Sequence, residues 1–248
     1  MSAYGAISTA GRPKEPLAST IWHTKVKDSQ DAQTSPKYLT LHHLTLSTAD
    51  KLPGLVSSLH KSFADELERG RTYPQEILQG DEYTQSAFES YFFAADAIVA
   101  IIGYDDSLFQ SKPDGSVVTQ TVEEAQSGRT WEESLAGVYY VKPNYPGRSS
   151  HICNAGFLIP ASQRGQGFGS VLARSYLHYG PRLGYEASVF NLVYVNNIAS
   201  VKLWDALGFT KIGRLPNAGR LKTADGSDEE YVDAWIIHKQ FDKVENTN

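Results

Sequence analysis

The segment Leu158-Ile159-Pro160-Ala161-Ser162-Gln163-Arg164-Gly165-Gln166-Gly167-Phe168-Gly169-Ser170 carries the clearest chemistry in the chain. An apolar run enters a turn with three glycines and leaves as a helix. Glycine lets backbone approach a ligand closely and turn its N–H groups inward. The start of a helix adds unpaired donors and the positive end of its dipole. Together these suit a pyrophosphate, although the same turn is also an ordinary way to start a helix. No Lys-Ser or Lys-Thr follows the last glycine, so this is not a nucleoside-triphosphate loop. Arg164 stands where a dinucleotide fingerprint has its first glycine. Charge favours the anion: Ser134 to Trp204 holds six basic residues, Lys142, Arg148, Arg164, Arg174, Arg182 and Lys202, against Glu186 alone.

Three asparagines form a second group. Asn154 and Asn191 lie inside apolar runs, where a polar side chain needs a reason. A turn or bulge is the competing explanation. Asn197 precedes a helical stretch and equally suits an N-cap. His42-His43 falls in an early strand, so the two side chains face opposite ways and read as structural. Cys153 reads as a small core residue.

These residues need elements to hold them. Tyr38–Leu46, Ala97–Tyr104, Leu135–Val141, Ile152–Ile159, Ala187–Val195, Phe209–Leu215 and Tyr231–Lys239 read as strands. Leu52, Leu55, Val56, Leu59, Phe63 and Leu67 have the 3-and-4 spacing of an amphipathic helix, with Thr48 or Asp50 as cap and Gly70 as stop. Ser86–Phe93, Gly167–Gly180 and Ala199–Leu207 read as further helices. Strands and helices do not alternate strictly. The expected fold is therefore α/β (α+β), a mixed, largely antiparallel sheet with helices on both faces. Residues 1–37 read as a flexible polar segment, 38–240 as one domain, and 241–248 as a tail. Asp105–Ser134, with seven acids against Lys112 and Arg129, reads as a surface insertion, with a functional lid as the alternative.

Composition bounds the function. The 248 residues carry 23 basic and 28 acidic side chains, a net charge of −5. That balance argues against nucleic acid as partner. One cysteine excludes a disulfide framework and a cysteine-cluster metal site, so no metal is expected. No apolar run reaches the ~18 residues of a membrane span. No secretory signal is evident, which points to a cytoplasmic protein. The Ser/Thr/Ala-rich residues 1–27 leave a mitochondrial transit segment as the alternative.

The motifs resemble those of the Gcn5-related N-acetyltransferase (GNAT) superfamily. Its acetyl-CoA motif, Arg/Gln-x-x-Gly-x-Gly/Ala after a strand, is matched by Arg164, Gly167 and Gly169. Its second motif is matched by Asn197, Ser200, Leu203, Gly208 and Phe209. Gly70–Gln75, Lys142–Tyr145, Cys153–Leu158, Phe190–Val193 and Lys202–Asp205 further resemble fungal proline-analogue N-acetyltransferases, which acetylate azetidine-2-carboxylate and related imino acids. The resemblance implies acetyl-CoA as co-substrate, direct attack by an amine in a ternary complex, and a homodimer. It places acetyl-CoA on Phe157, Leu158, Ile159, Arg164, Gly165, Gln166, Gly167, Phe168, Gly169 and Asn197. The backbone from Gly165 to Gly169 takes the pyrophosphate, the Phe157–Ile159 strand edge pairs with the pantetheine amides, and the N–H near Leu158 polarises the thioester. On this basis Asn154 holds the substrate carboxylate, Asn191 orients the amine or a deprotonating water, Asn197 contacts the thioester side, and Tyr73 forms a pocket wall or a core aromatic. One departure stands out. Trp204 replaces the family's usual tyrosine, and an indole is a poor acid for the leaving thiolate. A peptide N-acetyltransferase and a non-catalytic acyl-CoA sensor are the alternatives.

Overall fold

The computed structural model describes residues 13, 15–24, 36–78, 80–105, 107, 109 and 111–243. In chain order the elements are β1 (Thr20–His23), β2 (Tyr38–Leu44), α1 (Leu46–Ala49), α2 (Leu55–Arg69), α3 (Gln85–Phe92), β3 (Asp96–Gly103), β4 (Ser116–Val117), α4 (Val122–Gln126), α5 (Trp131–Ser134), β5 (Leu135–Pro143), β6 (Ile152–Leu158), α6 (Phe168–Arg182), β7 (Ala187–Tyr194), α7 (Ile198–Ala206), β8 (Thr210–Lys222) and β9 (Glu229–Gln240). The strands form one nine-stranded sheet in the order β4-β1-β2-β3-β5-β6-β7-β9-β8. Neighbours are antiparallel except β6 and β7, which run parallel. This is the mixed, largely antiparallel α/β architecture expected from the sequence.

Each face of the sheet buries its own core. One packs Ala136, Tyr139, Cys153 and Phe190 against Leu172, Tyr176 and Tyr179 of α6 and Trp204 of α7. The other packs Val99, Val138, Tyr140 and Leu158 against Leu59 and Phe63 of α2 and Phe88 and Phe92 of α3. Side chains alternate along a strand. Cys153 and Ala155 therefore face α6, while Asn154, Gly156 and Leu158 face α2 and α3.

Four sequence expectations change. The N-terminal segment is not uniformly polar tail: β1 pairs with β2, and Ile21 is fully buried. Trp22 and Ile21 supply apolar surface that the composition of the whole segment hides. The transit-segment reading falls largely on residues outside those described. Helix α2 is capped by Gly54, whose φ of 79° is left-handed, rather than by Thr48 or Asp50. The acidic insertion carries packed elements. Val122 and Ala125 are buried, Arg129 donates to Ile102 O at 2.6 Å, and Trp131 Nε1 donates to Pro53 O at 2.8 Å. At the C-terminus, Phe241 is buried in the core.

His42 and His43 are both buried and structural. His42 bonds Ser19 and Thr40; His43 bonds Asp96 at 3.0 Å and accepts from Leu17 N. Cys153 is buried beside the Tyr176 hydroxyl, and burial pushes its thiol up to about 12. A thiol so far from ionising is no nucleophile.

Candidate active site

The parallel pair β6–β7 stays in register only at Ile152↔Ala187 and Cys153↔Ser188. Beyond Cys153 the two strands part, while β6 remains paired to β5 through Leu158. The β7-facing edge of Asn154–Leu158 thus has no strand beside it among the described residues. An open strand edge offers N–H and C=O groups to an extended ligand. A cavity of about 870 Å³ lies over this opening, lined by both strands, the glycine turn and α7.

At the head of the cavity, Gly165 and Gly167 adopt left-handed φ of 79° and 82°, and Gly167 caps α6. A side chain there would be strained. Gln166 Nε2 donates to Gln163 Oε1 at 2.9 Å, and Gln163 Nε2 donates to Glu132 O at 3.0 Å. The insertion thereby ties down the turn, a link with no local signal in the sequence. The Phe168 side chain is buried in the α6 core, so its part in the site is that of an anchor.

The Arg164 guanidinium does not project freely. It pairs with buried Glu66 of α2 and donates to Ile159 O at 3.3 Å. Glu66 also accepts from the Thr72 hydroxyl at 2.5 Å and lies 3.6 Å from Arg69. Sequence reasoning missed Glu66, because α2 reads as an ordinary amphipathic helix.

Deeper in the opening the structure brings two of the three asparagines together, around a residue not singled out before. Asn144 follows β5 and is fixed by its backbone N–H to Ile152 O at 2.8 Å. Its Oδ1 accepts from Asn191 Nδ2 at 2.6 Å and from Asn154 Nδ2 at 3.1 Å, and its Nδ2 donates to Asn191 Oδ1 at 3.1 Å. Phe190 packs towards α6, so alternation places Asn191 on the opposite face together with Asn154, and the β7–β9 register shifts between Phe190 and Val193. Asn197 lies apart. Its side chain caps α7 by accepting from Ser200 N at 3.2 Å, though the residue lines the same cavity.

Aromatic residues complete the chamber. Tyr73 donates to Phe157 O at 3.0 Å, and its ring packs edge-on against Phe63, so it is both cavity wall and core. Tyr91 and Tyr140 share a hydroxyl–hydroxyl bond of 2.9 Å. Burial raises all three phenols, so each stays protonated through neutral pH. Trp204 packs against Phe157, Phe190 and Phe209 and donates to Ser200 Oγ at 3.1 Å, a packing role.

Lys142 sits behind this chamber. Its ammonium lies 3.9 and 4.3 Å from the ring centroids of Tyr91 and Tyr140 and donates to Tyr91 O in the last turn of α3. Burial lowers its pKa from 10.5 to about 8. Between those two values the unfolded chain holds the proton and the native protein has released it. The unfolded state then binds more protons, so this lysine makes stability rise as pH increases from about 8 to 10.5. Melting curves across that window should show the rise in the wild type, and Lys142→Met should lose it.

A second cavity of about 860 Å³ lies beyond Tyr73, Pro74 and Tyr194, which wall both spaces. The linings differ in charge. The first holds Arg69, Arg71 and Arg164 against Glu66; the second holds Asp65, Glu68, Glu76, Asp81, Glu82 and Glu229 against Lys61, Arg220 and Lys222. A polyanion suits the first, and a cationic amine suits the mouth of the second. Among the described residues no group of three or more His, Cys, Asp or Glu side chains is placed to hold a metal ion, and no helix is long and apolar enough to cross a membrane.

With this geometry in view, comparison with known proteins is specific. The acetyltransferase (GNAT) family pattern matches residues 61–209. The chain is 40% identical over 192 residues to the N-acetyltransferase aca1 of Schizosaccharomyces pombe, covering 77% of this chain and 83% of that one. It is 29% identical over 213 residues to Protein SPT10 of Saccharomyces cerevisiae, covering 79% of this chain but 33% of that longer protein. Two solved structures share the fold. One is a GCN5-related N-acetyltransferase from Kribbella flavida (TM-score 0.58, 23% identity, 81% of this chain and 98% of that one). The other is a phosphinothricin acetyltransferase from Sinorhizobium meliloti in complex with acetyl-CoA (TM-score 0.57, 13% identity, 85% and 92%).

Proposed function

The chain belongs to the acetyltransferase (GNAT) family, an acetyl-CoA-dependent N-acetyltransferase, and on that premise we propose that its acceptor is a small cyclic imino acid of the azetidine-2-carboxylate or proline-analogue type. The observation that carries this reading is the Asn144–Asn154–Asn191 cluster, set in a chamber walled by tyrosines. Amides offer donors and acceptors without charge, which suits a carboxylate and an amine on one compact ring. Asn154, bonded to Asn144 through one amide proton, has its second to give to a substrate carboxylate. Asn191, held at both ends by Asn144, is a fixed surface against which the amine or its deprotonating water is oriented.

The chain supports each part of the transfer. The turn at Gly165–Gly169 takes the pyrophosphate. The open edge of β6 from Asn154 to Leu158 takes the pantetheine arm, and its N–H near Leu158 faces the thioester oxygen. Asn197, its Oδ1 occupied as a cap, has its Nδ2 for the cofactor. The neutral amine nitrogen attacks the thioester carbon, the C–N bond forms and the C–S bond breaks; the nitrogen gives up its proton through water, and the departing thiolate takes up a proton to leave as CoA thiol. Ile212, Leu215 and Tyr231 remain exposed on β8 and β9, which fits the homodimer implied by the resemblance.

A second reading has its own support. The acidic second cavity suits a basic peptide. Free-thiol release from acetyl-CoA separates the two, with azetidine-2-carboxylate, cis-4-hydroxyproline, polyamines and a basic peptide as acceptors. The imino acids should give kcat/KM values at least about 100-fold above the others, a gap of ~2.7 kcal/mol in transition-state binding. Turnover of the peptide alone overturns the proposal, and CoA binding without release from any amine favours the sensor.

A further inference from the structure

The glycine turn supplies backbone donors for phosphate, but its one cation is already spoken for. Arg164 is bound to Glu66 and to Ile159 O. The remaining cations of the cavity come from the end of α2 and the turn after it. Arg69 is nearly half exposed and shares Glu66 at 3.6 Å. Arg71 is half-buried, lines the cavity, and has no hydrogen-bond or ion-pair partner among the described residues.

Glu66 sets where Arg71 stands. One of its oxygens accepts from Thr72, the next residue, and the other holds Arg164 at the head of the glycine turn. A single buried carboxylate therefore joins the turn after α2 to the phosphate loop. One residue further, Tyr73 fixes the Phe157 carbonyl on the open edge of β6. The amide cluster sits at the other end of this strand. Asn154 precedes Leu158 by four residues, about 13 Å along a strand. Arg71 is thus tethered near the phosphate end of the cavity rather than the acceptor end.

We propose that the turn from Gly70 to Tyr73 is a second arm of the cofactor site, and that Arg71 binds a phosphate of CoA. Its planar guanidinium suits bidentate contact with phosphate oxygens. Glu66 acts as a positioning residue that keeps this arm and the glycine turn at one spacing. The proposal rests on the reading that this cavity holds acetyl-CoA.

The test is direct binding, by titration calorimetry, of CoA and dephospho-CoA to the wild type, Arg71→Gln and Arg69→Gln. Arg71→Gln should weaken CoA about tenfold, the value of one charge-assisted contact, and lower the salt dependence of binding. Arg69→Gln should weaken it less than about threefold, as expected for an exposed charge with a nearby partner. If dephospho-CoA is unaffected by Arg71→Gln, the group bound is the 3′-phosphate. If both ligands weaken alike, it is the pyrophosphate. Either result supports the proposal. Affinities within twofold of wild type for both ligands, with unchanged salt dependence, overturn it. So does an effect on acceptor KM alone, which would make Arg71 a carboxylate receptor. A wild type that binds neither ligand defeats the cofactor reading itself, a different result. Melting temperature of each variant confirms that it is folded.

Discussion

Asn144→Ala is expected to lower kcat/KM for an imino acid about 100-fold, ~2.7 kcal/mol, while moving the melting temperature by only a few degrees. Asn144 Oδ1 is the shared acceptor for Asn154 and Asn191, at 3.1 and 2.6 Å. Its removal leaves two cavity-lining amides without their common partner. Each can then rotate, and the geometry that holds carboxylate and amine is lost. A misplacement of about 1 Å is enough to cost two orders of magnitude in rate. All three residues are half-buried, so water can satisfy the freed groups and the fold is little affected. Acetyl-CoA affinity should not change, because the cluster lies away from the glycine turn. The double variant Asn144→Ala/Asn191→Ala should be hardly worse than either single one, since they act as a unit. Additive losses, or a wild-type rate in Asn144→Ala, would show that the cluster is structural.

Gly156→Ala should be the most damaging single-methyl change in the site. A Cβ at this position would stand 2.4 Å from Tyr140 Cε1 and 2.8 Å from its hydroxyl. Tyr140 is only 5% exposed and is hemmed in by Phe92, Tyr91 and the Lys142 ammonium, so its ring has little room to retreat. Overpacking of this kind costs ~1–3 kcal/mol. For a domain of this size that is a fall of about 5 °C in melting temperature. Displacing Tyr140 also breaks its bond to Tyr91 and disturbs the floor over which the thioester would lie. Turnover should fall more than stability alone explains. Thermal melting with kinetics on the folded fraction checks both parts, and an unshifted melting point would mean that the ring relaxes freely.

Local order accounts for what the sequence shows about the site. The glycine turn is legible because three glycines, a preceding strand and a following helix lie within a dozen residues. Asn154 and Asn191 stand out as polar residues in apolar runs. Asn144 does not, because it sits in a hairpin turn between Pro143 and Tyr145, where asparagine is ordinary. Glu66 and Arg71 are equally silent: one is an acid on a helix with a sound apolar stripe, the other a basic residue after its end. Strand β1 is missed for a similar reason, as four residues inside a polar stretch are too short to carry a period.

The sequence by itself determined the fold class, the family, the glycine turn and the apolar faces of α2 and α6. Each depends on spacing within one segment, and hydrophobic period and glycine placement act locally. Tertiary structure alone decided that β6 and β7 part after Cys153 and that Asn144 joins Asn154 and Asn191. It also decided that Arg164 is spent on Glu66, leaving Arg71 as a cavity cation with no ion-pair or hydrogen-bond partner among the described residues. The reason is physical. Which partner satisfies a buried polar group depends on what the sheet brings within about 3 Å, and residues 98 apart, as Glu66 and Arg164 are, share no local pattern.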